Sequence, residues 1–371
     1  MVAIRGAVLE RIGAPRPYAR SRPLTVSQLE LDPPGAGELL VRIEAAGICH
    51  SDLSVVDGNR VRPVPMLLGH EAAGIVEALG PGVTTVQLGQ RVVLTFLPRC
   101  GSCAMCGTDG AAPCQPGSAA NSAGTLLSGR IGLHRDGHTV YHHLGVSGFA
   151  THAVVSQASV VAVPDDVPPT VAALLGCAVL TGGGAVLNVG RPAAGDTVAV
   201  VGLGGVGMSA VLTALAHEGV RVVAIDRLAD KLAAALALGA HHTYTPEQAV
   251  ECGVRAPVVI EAAGHPAALQ TAIAVTAPGG RTITVGLPPP DARISLSPLD
   301  LVAQGRSLIG SYLGSAVPDR DIPRFVELWR AGRLPVEQLV SSTVPLEQIN
   351  EAMDQLADGS AVRQIIRFGP H

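Results

Sequence analysis

Four of the seven cysteines in this 371-residue chain fall within the fifteen residues CGSCAMCGTDGAAPC, at positions 100–114. The spacing C-x2-C-x2-C-x7-C is typical of a structural zinc site, in which four thiolates close the tetrahedral shell of the metal. Small and polar residues make up most of this segment, so it cannot fold by burying apolar side chains. The sequence therefore predicts a zinc-stabilised lobe at about residues 98–116. Its predicted ligands are Cys100, Cys103, Cys106 and Cys114.

Three further residues could form a second metal site of a different kind. Two thiolates and one imidazole leave a fourth coordination position for water or substrate, which distinguishes a catalytic zinc from a structural one. A carboxylate can fix the tautomer of a metal-bound imidazole, and two are candidates here: Asp52 lies close to Cys49 in sequence, and Glu71 is next to His70. The candidate ligands are Cys49 in GICHSD (47–52), His70 in LLGHEAAGIV (67–76) and Cys177 in LLGCAVLTGGG (174–184).

A glycine-rich hexamer, GLGGVG at 202–207, lies between the apolar run 197–201 and a helix-like stretch. Its G-x-G-x-x-G pattern permits a tight turn, leaves room for a pyrophosphate at a helix N-terminus and lets the helix pack closely on a sheet. Asp226 ends the next apolar run, where a carboxylate can bind both adenosine ribose hydroxyls and repel a 2′-phosphate. The pattern predicts NAD rather than NADP, with the neighbouring Arg227 offsetting part of that repulsion.

The elements that must position these residues change in type along the chain. Up to about residue 178, short β-strands alternate with proline- and glycine-rich turns, as in GELLVRIEAAG (37–47) and QRVVLTF (90–96). After residue 195, apolar runs of strand length alternate with helix-like stretches, which is typical of a parallel sheet with right-handed crossovers. The sequence predicts a β-rich domain followed by an α/β Rossmann domain with a doubly wound parallel sheet.

Composition excludes several classes of function. A net charge of −4 without a long basic run argues against nucleic acid or an anionic membrane as the main partner. The uncharged stretches 167–190 and 197–216 are broken by glycine clusters, so they are predicted to be buried in the protein rather than in a membrane. Charged residues interrupt the N-terminal apolar stretch, which predicts no secretory signal, and clustered cysteines suit a reducing cytoplasm.

Taken in order, these motifs resemble those of the zinc-dependent medium-chain alcohol dehydrogenases over essentially the whole chain. GICHSD is similar to the first zinc-ligand motif of the family, GHEAAGIVEALGPGV to its second signature, and GLGGVG to its NAD loop. The cysteine-rich stretch is similar to the structural-zinc lobe. The resemblance implies a GroES-like catalytic domain at 1–178, a Rossmann NAD-binding domain at 179–313 and a C-terminal part at 314–371 that completes the catalytic domain.

The resemblance also implies which residues take part in catalysis. Ser51 would hydrogen-bond to the oxygen of the alcohol, and Phe96 would line the substrate channel. Many relatives carry a proton-relaying histidine two residues beyond the aspartate of the first motif. Here that position is Ser54, so the relay would end at His50 or at water. The implied catalytic set is Ser51, the zinc ligands Cys49, His70 and Cys177, and the carboxylates Asp52 and Glu71, which with the structural site gives two zinc ions per subunit.

For the NAD cofactor, the resemblance implies contacts in both the catalytic and the Rossmann parts. His50 and Arg363 would bind the phosphates, and Val206 would pack against the nicotinamide. Lys231, the only lysine of the chain, would lie near the adenosine ribose. The predicted cofactor-binding residues are His50, Thr181, Gly202, Gly204, Gly205, Val206, Gly207, Asp226, Arg227, Lys231, Val285 and Arg363.

The segment HRDGHTVYHHLG, at 134–145, carries four histidines within ten residues, and two interpretations stay open. Such a density could hold another metal, or it could form a solvated or pocket-lining loop, which is the favoured interpretation. In the second case, the resemblance implies by motif order that this segment lies near the substrate channel, where His143 would make the pocket more polar.

The motifs together with the family resemblance imply an NAD-linked zinc alcohol dehydrogenase that interconverts a primary alcohol, bulky or aryl, and its aldehyde by hydride transfer. Aromatic residues make up only 2% of the chain, so a roomy aliphatic pocket is expected. One alternative is a thiol-dependent formaldehyde dehydrogenase, and another is a zinc- and NAD-binding redox sensor without catalysis. RSLIGSYLGS (306–315) resembles the edge strand that pairs two subunits in the family, which implies a homodimer, or a tetramer.

Overall fold

The computed structural model describes residues 1–369 and divides the chain into two compact units. The first unit comprises Met1–Cys177 and the residues from Val340 onward, and the second comprises Ala178–Leu339. The predicted C-terminal part at 314–371 is therefore split. Residues 314–339 belong to the second unit, and only the residues from Val340 onward join the β-rich first unit.

The β-strands follow the predicted change in secondary structure along the chain, with short strands first and strands that alternate with helices later. In chain order they are β1 (Val2–Leu9), β2 (Leu24–Leu31), β3 (Glu38–Ile48), β4 (Met66–Leu67), β5 (Glu71–Leu79), β6 (Arg91–Leu94), β7 (Leu133–Arg135), β8 (His138–Thr139), β9 (Tyr141–His142), β10 (His152–Ser156), β11 (Val160–Val163), β12 (Thr197–Val201), β13 (Arg221–Ile225), β14 (His242–Tyr244), β15 (Ala256–Glu261), β16 (Thr276–Thr284), β17 (Ser307–Gly310), β18 (Val340–Val344) and β19 (Arg363–Arg367).

The α-helices are short in the first unit and alternate with strands in the second. They are α1 (Tyr18–Ser21), α2 (His50–Val56), α3 (Gln115–Ala123), α4 (Pro169–Leu175), α5 (Ala178–Gly184), α6 (Gly205–Leu215), α7 (Ala229–Ala237), α8 (Pro246–Glu251), α9 (Pro266–Ala274), α10 (Pro298–Gln304), α11 (Pro318–Arg330) and α12 (Ile349–Ala357).

The first unit contains two β-sheets, and β3 is the central strand of the larger one. The larger sheet has the order β11-β6-β5-β3-β19-β18, with β10 also paired to β3, and the smaller has the order β8-β7-β2-β1-β4-β9. The buried side chains of Ile43, Ile48, Leu94, Phe149 and Ile366 belong to one apolar core. Full burial of such a side chain contributes roughly 1.5–3 kcal/mol to stability, so this core fixes the end of β3 at the first ligand motif.

The second unit is a parallel sheet of the Rossmann type. Its strand order is β14-β13-β12-β15-β16-β17, and each neighbouring pair is parallel. Numbered within the unit, this is the order 3-2-1-4-5-6, which brings the carboxyl ends of the first and fourth strands together at a cofactor-binding crevice. The predicted fold class, a Rossmann domain with a GroES-like β-rich domain, is therefore confirmed.

Among residues 1–369, no single helix has both the length and the apolar composition needed to cross a membrane. Two consecutive helical segments separated by a bend, Pro169–Leu175 and Ala178–Gly190, meet these two criteria only as a pair.

Candidate zinc and cofactor sites

The four clustered cysteines converge on one point, with their sulfur atoms all within 4.8 Å of one another. The Cys100 and Cys106 sulfurs are 4.0 Å apart, as are those of Cys103 and Cys114. Zn–S bonds of about 2.3 Å in a tetrahedron would separate the sulfurs by about 3.8 Å, so the four fit a zinc ion. All four are free thiols. Hydrogen bonds from the backbone and hydroxyl of Ser102 lower the pKa of Cys100 to about 6, whereas burial raises the pKa of Cys106 to about 12.

The second set of predicted ligands also comes together, from three separate parts of the first unit. Cys49 lies between β3 and α2, His70 directly precedes β5, and Cys177 follows α4. Their ligand atoms lie within 4.8 Å of one another, and the Cys177 sulfur is 3.4 Å from Nε2 of His70. All three side chains are buried. Two sulfurs and one nitrogen are donors that zinc prefers, and three donors leave its fourth position open.

Close backbone approach places Cys177 in this set. A Cβ atom at Gly176 would collide with the carbonyl of Leu94 in β6, so only glycine allows the end of α4 to come this near the sheet. Gly176, which directly precedes the ligand Cys177, therefore has a structural role that the sequence pattern alone does not explain.

Asp52, and not the adjacent Glu71, holds the His70 ring in place. One carboxylate oxygen of Asp52, Oδ1, lies 2.9 Å from Nδ1 of His70, and the other, Oδ2, accepts the N–H of Cys49 at 3.0 Å. Burial raises the pKa of Asp52, but the neighbouring imidazoles of His70 and His143 outweigh this effect and lower it to about 2. Asp52 therefore stays ionised, accepts the Nδ1 proton and leaves the Nε2 lone pair of His70 directed at the ligand cluster.

Glu71 instead forms a buried ion pair with Arg363. Nη1 of Arg363 lies 3.2 Å from Oε2 of Glu71 and donates to the carbonyl of Ile48 at 3.0 Å. Burial lowers the pKa of Arg363, but the charges of Glu71 and of the Cys49 and Cys177 sulfurs raise it by more than burial lowers it. The guanidinium therefore stays charged. The family resemblance predicts that Arg363 contacts the NAD phosphates, whereas its side chain here is only 3% exposed.

The remaining predicted catalytic residues surround the same cluster. The Ser51 hydroxyl oxygen is 4.0 Å from the Cys49 sulfur, and the Phe96 ring packs edge-on against His70 with centroids 5.6 Å apart. Ser54 donates its hydroxyl to the carbonyl of His50 at 2.7 Å. Its proton is therefore engaged by the backbone, which fits the expectation that Ser54 does not replace the missing relay histidine.

The histidine-rich segment does not gather into a metal site. His134 lies 3.3 Å from a carboxylate oxygen of Asp32, and His138 is exposed. His142 is buried and accepts the N–H of Gly132 at 3.3 Å, and burial lowers its pKa to about 3. Among residues 1–369, His143 is the one member of this segment that lies in a metal-ligand cluster, next to Asp52 and His70.

The glycine loop of the second unit has the geometry that the motif predicts. Gly202 has φ +92°, and a Cβ there would meet the backbone of Ala263. Gly204 is the N-cap of α6, and its surroundings are open. Asp226, directly after β13, accepts the N–H of Leu203 at 2.7 Å, so its carboxylate also anchors the loop. This arrangement leaves the N-terminus of α6 available for a phosphate.

The other predicted cofactor residues of the second unit differ in how far their side chains are exposed to solvent. A Cβ at Gly182, the residue after Thr181, would collide with the carbonyl of Val206, so α5 packs tightly on α6 at this point. Thr181 and Val285 are buried, Val206 and Lys231 are half-buried, and Arg227 is exposed.

Sequence reasoning missed one buried acid beside the loop. Glu261 ends β15, is 1% exposed and accepts the N–H groups of Ala263 and Gly264 at 2.8 and 2.7 Å. It also accepts the hydroxyl of Thr284 at 2.6 Å. The sequence pattern that could have identified Glu261 is its position at the carboxyl end of an apolar strand, because ligands bind at these ends in this fold.

A Rossmann sheet with a glycine loop, joined in one chain to a three-donor zinc site, defines a zinc- and dinucleotide-dependent oxidoreductase. The chain matches the alcohol dehydrogenase GroES-like domain over residues 35–165 and the zinc-binding dehydrogenase domain over residues 205–330. It is 36% identical over 359 residues to "Putative alcohol dehydrogenase D" of Mycobacterium tuberculosis, covering 94% of this chain and 97% of that one.

Solved structures similar to the whole chain include the following two. One is an alcohol dehydrogenase zinc-binding domain protein from Burkholderia ambifaria, with a TM-score of 0.92, 34% identity and 100% of both chains covered. The other is benzyl alcohol dehydrogenase from Acinetobacter calcoaceticus, with a TM-score of 0.91, 30% identity and the same coverage. The chain belongs to the zinc-dependent medium-chain alcohol dehydrogenase family.

Proposed function

We propose that this alcohol dehydrogenase binds two zinc ions per subunit, uses NAD, and interconverts an aryl or other bulky primary alcohol and its aldehyde. The observation that carries the proposal is the donor set of Cys49, His70 and Cys177, whose atoms lie within 4.8 Å of one another. A fourth protein ligand would make such a site structural, whereas three leave room for substrate.

The side chains of the chain have separate tasks in this reaction. When bound, zinc supplies a Lewis acid and NAD supplies the hydride acceptor. Asp52 holds the His70 ring through the contact at 2.9 Å and thereby keeps Nε2 available to the metal. The Ser51 hydroxyl takes the proton of the alcohol and passes it to His50 or to water. All three ligands are buried, which limits the access of bulk water to the donor set.

Two observations support an aryl or bulky substrate. Phe96, which is 8% exposed, packs edge-on against His70, so an aromatic ring lies next to the ligand cluster. The Acinetobacter structure, similar over its full length, is that of a benzyl alcohol dehydrogenase. An aromatic ring of the substrate can pack against Phe96, and such pairs contribute about 0.5–1.5 kcal/mol.

A substrate panel followed by NADH absorbance tests this proposal. We expect a higher kcat/KM for benzyl alcohol than for ethanol, and little oxidation of formaldehyde with or without glutathione. Formaldehyde oxidation that requires the thiol would instead assign the chain to the thiol-dependent class. A lack of NADH formation with every alcohol, in protein that holds both zinc ions, would refute the enzymatic role.

We also propose a homodimer, joined through β17. This strand is the edge of the parallel sheet, and its unpaired side is available to a second copy. Leu308 on β17 and Leu299 and Val302 on α10 are exposed apolar residues that an interface would cover.

A further inference from the structure

A buried asparagine on α3 holds the main chain at Phe96. The Asn121 side chain is 4% exposed, and its Nδ2 donates to the carbonyl oxygen of Phe96 at 2.7 Å. The Phe96 ring packs edge-on against the predicted zinc ligand His70, with centroids 5.6 Å apart. One hydrogen bond therefore connects α3 to an aromatic ring that lies next to the candidate catalytic zinc site.

The same face of α3 approaches the same segment one turn earlier. A Cβ atom at Gly117 would collide with the carbonyl of Pro98, so only glycine lets the helix come this close. Gly117 and Asn121 are four residues apart and therefore lie on one face of the helix. This face contacts the segment 96–98 at two points.

The N-terminal end of α3 belongs to the cysteine lobe. Its N-cap is Cys114, a predicted zinc ligand whose sulfur accepts the N–H groups of Gly117 and Cys100 at 3.4 Å. A helix fixed in this way at its start is a firm base for Asn121, which lies in its last turn.

The residues on either side of Phe96 are held by a second element, the turn between β10 and β11. The N–H and the hydroxyl of Thr95 donate to the carbonyl of Ser159 at 2.8 and 3.2 Å. The N–H of Arg99 donates to the carbonyl of Ala158 at 3.2 Å. Neither attachment involves α3, so the segment keeps its place in the fold without the asparagine, and the adjustment is confined to the residues between these two attachments.

We infer that Asn121 is a positioning residue that fixes the Phe96 ring beside His70 and thereby raises the selectivity for aryl alcohols. A buried carbonyl that loses its donor shifts toward another partner, and the ring on the same residue shifts with it. The ring of a substrate packs well only against a ring that is held in one place. This inference rests on the proposed function, in which Phe96 packs against an aryl substrate.

The test replaces Asn121 with Leu, which has nearly the same size but no donor. We expect KM for benzyl alcohol to rise about two- to tenfold with little change in kcat, because loss of one aromatic pair weakens binding by about that factor. KM for ethanol, which has no ring to pack against Phe96, should not change. Asn121→Ser, a smaller side chain whose hydroxyl cannot reach the Phe96 carbonyl, should change KM in the same direction.

The matched control is Asn350 on α12, in the same unit. Its side chain is 2% exposed, and its Nδ2 donates to the carbonyl of Leu24 at 2.9 Å. The bond joins α12 to β2, and neither element carries a predicted zinc or substrate residue. We expect N350L and N121L to lower Tm to a similar extent, whereas KM for benzyl alcohol should rise only in N121L.

Two measurements show whether Asn121 acts through Phe96. In protein that carries Phe96→Leu, adding N121L should raise KM for benzyl alcohol no further. The carbonyl carbon of Phe96 can be observed by NMR after selective labelling, because Phe96 and Leu97 form the one Phe-Leu pair of the chain. Its carbon-13 resonance should shift in N121L and stay unchanged in N350L.

Three results would overturn the inference: an unchanged KM for benzyl alcohol in N121L, a further rise in the double variant, or an unmoved carbonyl resonance in N121L. Equal rises of KM for benzyl alcohol and ethanol would overturn it as well, because a purely structural role would affect both. Protein that holds both zinc ions but oxidises no alcohol would refute the proposed function. The carbonyl resonance needs no substrate, so it would still test the bond from Asn121 to Phe96.

Discussion

At the scale of single residues, the number of protein donors distinguishes the two candidate zinc sites of this chain. Four sulfurs surround one point in the lobe, whereas two sulfurs and one nitrogen surround the other. The same metal would be held in both, yet only the second site leaves a position for a substrate. Each site can therefore be removed by a single substitution that spares the other.

Replacing Cys49 with Ala should leave one zinc ion per subunit and abolish alcohol oxidation. The remaining imidazole and thiolate cannot hold zinc firmly, whereas the lobe keeps its four sulfurs. Metal analysis and NADH formation measure the two effects, and NADH binding should be unchanged. The matched control is C252A, because Cys252 is exposed and lies outside both clusters. Retained turnover in C49A would contradict the assignment.

Asp226 should set the preference for NAD over NADP. Asp226→Asn removes the charge that repels a 2′-phosphate while keeping one oxygen to accept the N–H of Leu203. We expect the ratio of kcat/KM for NAD to that for NADP to fall at least about tenfold, which corresponds to about 1.4 kcal/mol. A matched variant, Asp230→Asn, removes a charge from the first turn of α7 and should leave the ratio unchanged. An unaltered ratio in D226N would refute the role of Asp226.

At the scale of elements, one buried ion pair joins three adjacent strands of the larger sheet in the first unit. Arg363 begins β19, Glu71 begins β5, and the carbonyl of Ile48 ends β3, which lies between them. The ion pair thus connects β5 and β19 across β3, the strand that leads to Cys49. The pair is almost fully buried, so each charge depends on the other for stabilisation.

Removing one partner of this pair should cost more stability than removing both. Arg363→Leu leaves the Glu71 carboxylate buried without its cation, which typically costs about 3–5 kcal/mol. The double variant with Glu71→Gln should recover part of that loss. Denaturant unfolding of the zinc-loaded proteins measures both values, and Arg42→Leu, at a partly exposed ion pair on β3, is the control. A double variant less stable than R363L would contradict this account.

The lobe at 98–116 should depend on its metal for its fold. Cys103→Ser removes one of four thiolates, and the segment has little apolar surface to bury in compensation. We expect loss of one zinc ion, faster cleavage by protease within residues 98–116 and a lower Tm. Benzyl alcohol oxidation should fall less than in C49A. Cleavage at an unchanged rate would show that the lobe folds without zinc.

At the scale of the whole molecule, local motifs made the donor sets and the Rossmann unit predictable. The sequence did not predict which carboxylate reaches His70, because Glu71 is the sequence neighbour of His70 whereas Asp52 is eighteen residues away. Successive residues entering a strand point to opposite faces, so the neighbour is directed away from the ring. The positions of His143 and Arg363 depend on contacts between distant segments, and no spacing rule expresses these contacts.

The proposed homodimer can be tested at the edge of the parallel sheet. Leu308→Glu places a charge on β17, where 37% of the leucine is exposed and a second copy would cover it. Burying an unpaired carboxylate costs several kcal/mol, so light scattering after size exclusion should show a mass near 37.7 kDa instead of twice that value. Leu88→Glu, on an exposed leucine of the first unit, should leave the mass unchanged. A dimer that persists in L308E at micromolar concentration would exclude β17 as the interface. If L308E is a monomer that still binds NADH, the Rossmann unit folds without its partner.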